Sequence, residues 1–183
     1  MVGRFRAFSF VDRILAHAPG ATVRGRYTVP AHATRFPASL AAEAVGQLAA
    51  WAAMRSLDFR LRPVAGLAGE TRFGRPFGPG DTLDLEATLE SATDSDVAYS
   101  GRAVVGGEIA LVLEHALGPM LPASEFDDPG ALRTDFATLT TTGRSFVRGS
   151  SSVANWLSSR LVGMKWFLRR DMRSAMSCLL PFR

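Results

Sequence analysis

The segment that most constrains the fold is an alanine-rich, almost wholly apolar stretch at residues 39–54. Alanine is the strongest helix former, so this composition favours a helix. Because apolar residues occupy nearly every side of that helix, we expect it to be buried rather than to lie at the surface. The segment therefore predicts a helix with other elements packed around it.

The segments around this helix show the alternation of apolar and polar residues that is typical of β-strands. Residues 22–29 predict one strand before the helix, and four more strand candidates follow it, at residues 63–73, 82–90, 97–105 and 109–117. Gly106-Gly107 joins the last two as a tight hairpin turn. One strand, a long buried helix and an antiparallel meander predict an α+β fold, with an antiparallel sheet wrapped around a central helix.

The two ends of the chain have their own patterns. Residues 8–18 predict a short helix that Pro19-Gly20 ends. At the other end, residues 127–152 begin with an acidic turn, become rich in Ser and Thr, and predict a linker after a domain at residues 1–126. Residues 153–183 have apolar residues at helical spacing with Lys and Arg between them, and predict a basic amphipathic C-terminal helix.

Charge separates this tail from the body. Residues 1–143 carry 13 Arg against 16 acidic residues, whereas residues 144–183 carry eight basic residues and one acidic residue. The net charge of +4 thus belongs to the tail, and we expect no nucleic-acid partner for the body. Three interpretations of the tail stay open: a cover for the sheet, an interfacial helix that contacts anionic lipid at a membrane surface or an acidic carrier protein, or an altered remnant of a second domain.

Composition narrows the class of protein. No segment offers the run of about 20 apolar residues that a membrane-spanning helix needs, and the apolar stretch near the start is interrupted by Asp12 and Arg13, unlike a secretory signal. The single Cys178 forms no intrachain disulfide, which fits a cytoplasmic protein. We find no spacing of metal ligands, no phosphate-binding loop and no nucleophile motif, so we expect neither a metal nor a cofactor.

One acidic residue interrupts the apolar helix. Glu43 and Gln47 are four residues apart and therefore share a face of it. Because a buried carboxylate without a partner is costly, Glu43 is the first candidate for chemistry. The alternative is a structural role, in which Glu43 accepts hydrogen bonds from backbone N–H groups or pairs with Arg35.

Four short motifs occur in order between residues 8 and 122: Phe10-Val11-Asp12-Arg13-Ile14, Phe36-Pro37, Glu43-Ala44-Val45-Gly46-Gln47 and Pro79-Gly80-Asp81-Thr82-Leu83. Together they resemble the β-hydroxyacyl-acyl-carrier-protein dehydratases of the hot-dog superfamily. The resemblance implies a hot-dog fold, a homodimer with a continuous sheet, and an acyl-thioester substrate on acyl carrier protein or coenzyme A. The acyl chain would lie in a tunnel at the dimer interface, with the thioester near the start of the helix.

The resemblance also assigns site residues. The family uses a histidine directly before Phe-Pro as the base and a helix carboxylate of the partner subunit as the acid. Glu43 matches the acid, but Arg35 stands at the histidine position, and the loop from Phe36 to the helix is shorter than in the family. Arginine stays protonated at ordinary pH and cannot accept the α-proton. We therefore assign Arg35, Phe36 and Gln47 to substrate binding and consider His32 as an alternative base.

The resulting expectation is a dehydratase-like protein of fatty-acid or polyketide-type synthesis with Glu43 as the acid. A second hypothesis is an acyl thioesterase, because a helix Glu with a nearby Gln can activate water without histidine. A third is a non-catalytic acyl-binding subunit that completes the interface of an active partner.

Overall fold

The computed structural model describes residues 10–17, 22–34, 36–64 and 66–141. The predicted basic helix at residues 153–183 and Arg35 lie outside these residues. The elements in chain order are β1 (Arg13–His17), β2 (Thr22–Thr28), α1 (Ser39–Ser56), β3 (Leu61–Pro63), β4 (Glu70–Phe73), β5 (Thr82–Ala92), β6 (Asp96–Val105), β7 (Glu108–Pro122), the single-turn 3₁₀ helix Ala123–Glu125 and α2 (Pro129–Thr140).

The strands form one antiparallel sheet that curls around α1. Its order is β1-β2-β5-β6-β7-β3, and β4 also pairs with β7. Strand β7, which has 15 residues, pairs with β6 along one edge. Along its other edge it pairs first with β4 and then with β3. Helix α1 packs against β2, β3, β5, β6 and β7. The predicted hot-dog fold, a curled antiparallel sheet around a central helix, is confirmed.

The core lies between α1 and the inner face of the sheet. Most of α1 is buried, including Val45, Leu48 and Met54, which are fully enclosed. On β5, Leu83, Leu85 and Ala87 point inward while the intervening Asp84 is exposed, as the alternation predicts. Each Å² of apolar surface removed from water contributes about 25 cal/mol to folding. The contact between α1 and the sheet is therefore the main source of stability.

The predicted hairpin between β6 and β7 is confirmed at Gly106-Gly107. Their φ angles are +59° and +86°, and two consecutive positive φ angles are what a tight hairpin turn of this hand requires. Glycine adopts them without steric cost.

The predicted helix at residues 8–18 is wrong for the part that the structure describes. Residues Arg13–His17 form β1, which pairs antiparallel with β2. The Asp12 N–H donates to the Arg26 carbonyl at 2.8 Å, and the Thr28 N–H donates to Asp12 Oδ2 at 2.7 Å. The available edge of β2 and the β-branched Ile14 therefore decide the conformation over the local helical pattern.

The predicted strand at residues 63–73 is two short strands, β3 and β4. Between them a bridge from Leu67 to Leu117 keeps the chain beside β7. A side chain at Gly66 would collide with the Leu117 carbonyl, so this close passage needs glycine.

The linker predicted at residues 127–152 contains helix α2, so that prediction is wrong for residues 129–140. Asp128 caps α2, because its carboxylate accepts the Gly130 and Ala131 N–H groups, each at 3.2 Å, and Pro129 occupies the first turn. Phe136 packs its ring against three others, with centroid distances of 5.6 Å to His17, 6.1 Å to Trp51 and 5.6 Å to Phe59. Across the described ranges, no helix has the length and apolarity that crossing a membrane demands.

Candidate active site

Helix α1 begins without a side-chain cap. Its first residues instead make tight backbone turns, in which the Leu40 N–H donates to the Pro37 carbonyl at 2.9 Å and the Ala41 N–H donates to the Ala38 carbonyl at 3.0 Å. The first turn carries no acidic side chain. The partial positive charge of the helix start is therefore free to polarise a carbonyl oxygen placed there.

Glu43 and Gln47 form a hydrogen-bonded pair one turn into α1. Gln47 Nε2 donates to Glu43 Oε1 at 2.8 Å, and Gln47 Oε1 accepts the backbone N–H of Phe10, also at 2.8 Å. Gln47 is buried with 7% of its surface exposed, whereas Glu43 is exposed. The expectation of a buried Glu43 is therefore wrong for the single chain as far as the structure describes it, because none of the described strands and loops covers the acid.

This arrangement orients one carboxylate oxygen and leaves the other available. Oε1 of Glu43 is held by Gln47, and no side chain or backbone group in the described part of the chain bonds to Oε2. A carboxyl group held in this way can donate or accept a proton at its second oxygen. Gln47, predicted to bind substrate, here contacts Glu43 and Phe10, so the structure gives it an orienting position.

Tyr99 also lies in this region, although no sequence motif singled it out. It lies on β6 between α1 and the sheet, and its hydroxyl approaches Gly46 of α1. Burial, and to a lesser extent the charge of Glu43, raise the pKa of Tyr99 to about 12. The alternation of residues 97–105 indicates its inward position, since Tyr99 falls on the same face of the strand as the buried Val97.

Phe36, predicted to bind substrate, belongs to an aromatic cluster before α1. Its ring centroid lies 6.2 Å from that of Phe10, 5.8 Å from that of Tyr27 and 5.8 Å from that of Phe77. These contacts hold the loop that enters α1 against β2 and the segment before β5. Phe36 is half-buried, and its contact with substrate stays a prediction.

None of the three histidines lies on α1 with Glu43. His32 is exposed in the loop between β2 and α1, His17 lies on β1 against Phe136, and His115 is exposed on β7. The role of His32 as a base stays a prediction, as does substrate binding by Arg35. No group of three metal-ligating side chains occurs in the ranges that the structure describes.

Comparisons with known proteins identify a related dehydratase by sequence and several proteins of similar fold. No family model matches it. The 3-hydroxyacyl-[acyl-carrier-protein] dehydratase FabZ of Variovorax paradoxus (strain S110) is 32% identical over 118 residues, which cover 56% of this chain and 78% of that protein.

Solved structures of similar fold include a thioesterase, a dehydratase heterocomplex and a protein bound to acetyl CoA. The thioesterase HI1161 of Haemophilus influenzae has a TM-score of 0.48 at 8% identity, covering 62% of this chain and 81% of its own. The dehydratase heterocomplex ApeI:P of Xenorhabdus doucetiae has a TM-score of 0.46 at 14% identity, covering 64% and 86%. The protein smu.793 of Streptococcus mutans UA159, bound to acetyl CoA, has a TM-score of 0.49 at 10% identity, covering 66% and 94%.

The sequence match carries the assignment, since these structural likenesses are too distant to separate dehydratases from thioesterases. It exceeds 30% identity over most of the dehydratase, and the curled sheet around α1 agrees with the fold that the motifs predicted. This chain belongs to the 3-hydroxyacyl-[acyl-carrier-protein] dehydratase FabZ family.

Proposed function

We propose that this protein acts on β-hydroxyacyl thioesters, carried by acyl carrier protein or coenzyme A, as a dehydratase in which Glu43 is the acid. The observation that carries the proposal is the Glu43–Gln47 pair, which orients a carboxylate with one available oxygen near an uncapped helix start in a chain of the FabZ family.

The reaction divides between these groups. The helix start stabilises negative charge on the thioester carbonyl while a base removes the α-proton. The β-carbon–oxygen bond breaks as Glu43 gives its proton to the departing hydroxyl, which leaves as water, and a double bond forms between the α- and β-carbons. Glu43 is left as a carboxylate that must be reprotonated before the next turnover.

The base in this mechanism must be a residue other than Arg35. Arg35 replaces the family histidine and cannot take a proton, so we assign it to contact with the carbonyl or with the carrier's phosphate. His32 is the alternative base, because it is an exposed side chain in the loop that leads to α1. In a homodimer of the family type, the base and Glu43 come from different subunits.

Two other functions remain as alternatives. The exposure of Glu43, with no histidine on α1, also suits a thioesterase in which this carboxylate activates water. A non-catalytic acyl-binding subunit would use the same surface without turnover, and the Arg35 substitution favours it.

Hydration of an enoyl thioester by the full chain tests the proposal, with the reverse dehydration and the release of free thiol followed in the same samples. We expect Glu43→Gln to lower the hydration rate by about 10²–10⁴-fold, the usual contribution of a positioned acid. Glu108→Gln, an exposed acid at the start of β7, is the matched control and should leave the rate unchanged.

Different outcomes select different functions. Thiol release without hydration, lost in Glu43→Gln, would favour the thioesterase. Binding without either reaction, with no activity gained in Arg35→His, would favour the non-catalytic subunit. A rate that falls in His32→Gln but not in Glu108→Gln would assign the base.

A further inference from the structure

Tyr99 lies with its ring inside the curl of the sheet. It packs beside a buried cluster of Ala53, Val97 and Met120, and its hydroxyl extends to Gly46 on α1. A Cβ atom at residue 46 would lie 2.9 Å from this hydroxyl oxygen, so the glycine leaves the space that the hydroxyl occupies. The phenol is thus held at a defined position along α1.

The Tyr99 hydroxyl forms no hydrogen bond with a residue that the structure describes. Its side chain is mostly enclosed, but the hydroxyl is not among the fully buried unpaired atoms of the described residues, so a ligand can reach it. Tyrosine hydroxyls in such surroundings normally pair with water or with another polar group. A ligand oxygen beside α1 would supply that partner.

The protonation state of Tyr99 defines what it can offer. Its pKa is raised to about 12 by burial and by the Glu43 charge, so the phenol is neutral near pH 7. A neutral phenol donates a hydrogen bond and does not act as a base. It therefore suits a hydroxyl or carbonyl oxygen of a ligand.

The position of Gly46 relates the hydroxyl to the acid. Gly46 follows Glu43 by three residues, which places it about 4.5 Å further along the axis of α1 and near the same face. The first oxygen beyond the thioester in a β-hydroxyacyl chain is the β-hydroxyl. In an acyl chain that runs along α1 from a thioester at the helix start, this oxygen would lie between Glu43, which protonates it, and the Tyr99 hydroxyl.

We propose that Tyr99 donates a hydrogen bond to the β-hydroxyl oxygen of the acyl substrate, and so makes the site prefer β-hydroxylated chains over saturated ones. This inference rests on the proposed function, because it requires that acyl thioesters bind along the Glu43 face of α1.

Binding to two probes tests it. The probes are pantetheine amides of a β-hydroxyacyl chain and of the saturated chain of equal length, because an amide does not undergo the elimination. We expect the full-length protein to bind the hydroxylated amide more tightly, and Tyr99→Phe to reduce this preference about 3–10-fold, as one lost hydrogen bond does. Affinity for the saturated amide should not change.

Ser100→Ala is the matched control. It removes a hydroxyl from the next residue of β6, where Ser100 donates to Glu90 and receives the His115 N–H at 3.2 Å. Because neighbouring strand residues face opposite sides of the sheet, this variant should keep the preference. Thermal unfolding of each variant checks that it remains folded.

An unchanged preference in Tyr99→Phe, or no preference in the unmodified protein, would overturn the inference and leave an acyl-thioester function in place. If the unmodified protein binds neither amide, the proposed function fails and this inference fails with it.

Discussion

The orientation of Glu43 depends on Gln47, which lies on the same helix, and on Phe10, which is distant in sequence. The contact with Gln47 follows from a spacing of four residues, which the sequence shows directly. The contact between Gln47 and the Phe10 N–H joins residues 37 positions apart, and nothing in the local pattern indicates it. The chemical identity of the pair was therefore predictable, whereas the exposure of Glu43 and the anchoring of Gln47 were not.

The raised pKa of Tyr99 predicts a dependence of stability on pH. A free tyrosine loses its proton near pH 10, so between pH 10 and about pH 12 the unfolded chain releases a proton that folded Tyr99 retains. The contribution of Tyr99 is thus fully present below pH 10 and is lost as the pH rises through this window. The loss amounts to about 2 kcal/mol of unfolding free energy over the whole window.

Urea denaturation between about pH 9 and about pH 12 measures this effect. Tyr99→Phe is the comparison, because it removes the titrating group while Tyr27 titrates in both proteins. As the pH rises, we expect the unfolding free energy of the unmodified protein to fall relative to that of Tyr99→Phe. Parallel pH profiles would contradict the burial of the phenol.

An element of the fold was predictable wherever its apolar residues followed a single helical or strand pattern. The apolar helix α1, the alternating β5 and the diglycine turn before β7 follow from their own residues. The first strand was not predictable, because β1 exists through pairing with β2 rather than through its own pattern. Helix α2 had a local signal, because Asp128 stands directly before Pro129 at its start. These residues were instead interpreted as part of an acidic turn.

The capping of α2 predicts a stability effect at Asp128. Asp128→Ala removes the acceptor of two N–H groups and should lower the unfolding free energy by about 1 kcal/mol. Asp128→Asn is the control, since its amide oxygen can still cap the helix, and it should lie close to the unmodified protein in urea denaturation. Equal losses in both variants would assign the effect to the charge instead of the cap.

At the scale of the whole molecule, β4 is an edge of the described sheet with apolar side chains beside it. Phe73 on β4 is 56% exposed, and Ile109 on the neighbouring β7 is 49% exposed. An unpaired edge with exposed apolar residues is a place where a second chain can add its own strand. We therefore propose that β4 forms the interface of the homodimer that the family resemblance implies.

Sedimentation of the protein tests this interface. We expect the unmodified chain of 19.7 kDa to sediment as a dimer and Phe73→Asp to shift it to a monomer, because a buried unpaired carboxylate opposes the contact. Leu15→Asp is the matched control, since Leu15 is 46% exposed on β1 at the opposite end of the sheet. A dimer that survives Phe73→Asp, or that is lost equally in both variants, would exclude β4 as its specific interface.

The amino-acid sequence by itself determined the central helix, the alternating strands that surround it, the family, and the placement of Glu43 and Gln47 on one face of that helix. These depend on composition, period and motif, which are local properties of the chain. The tertiary structure decided that residues 13–17 pair as a strand, that Gln47 is fixed by Phe10, and that the Tyr99 hydroxyl meets Gly46. Each of these joins residues distant in sequence, and the free energy of such a contact exists only once the sheet has closed around α1.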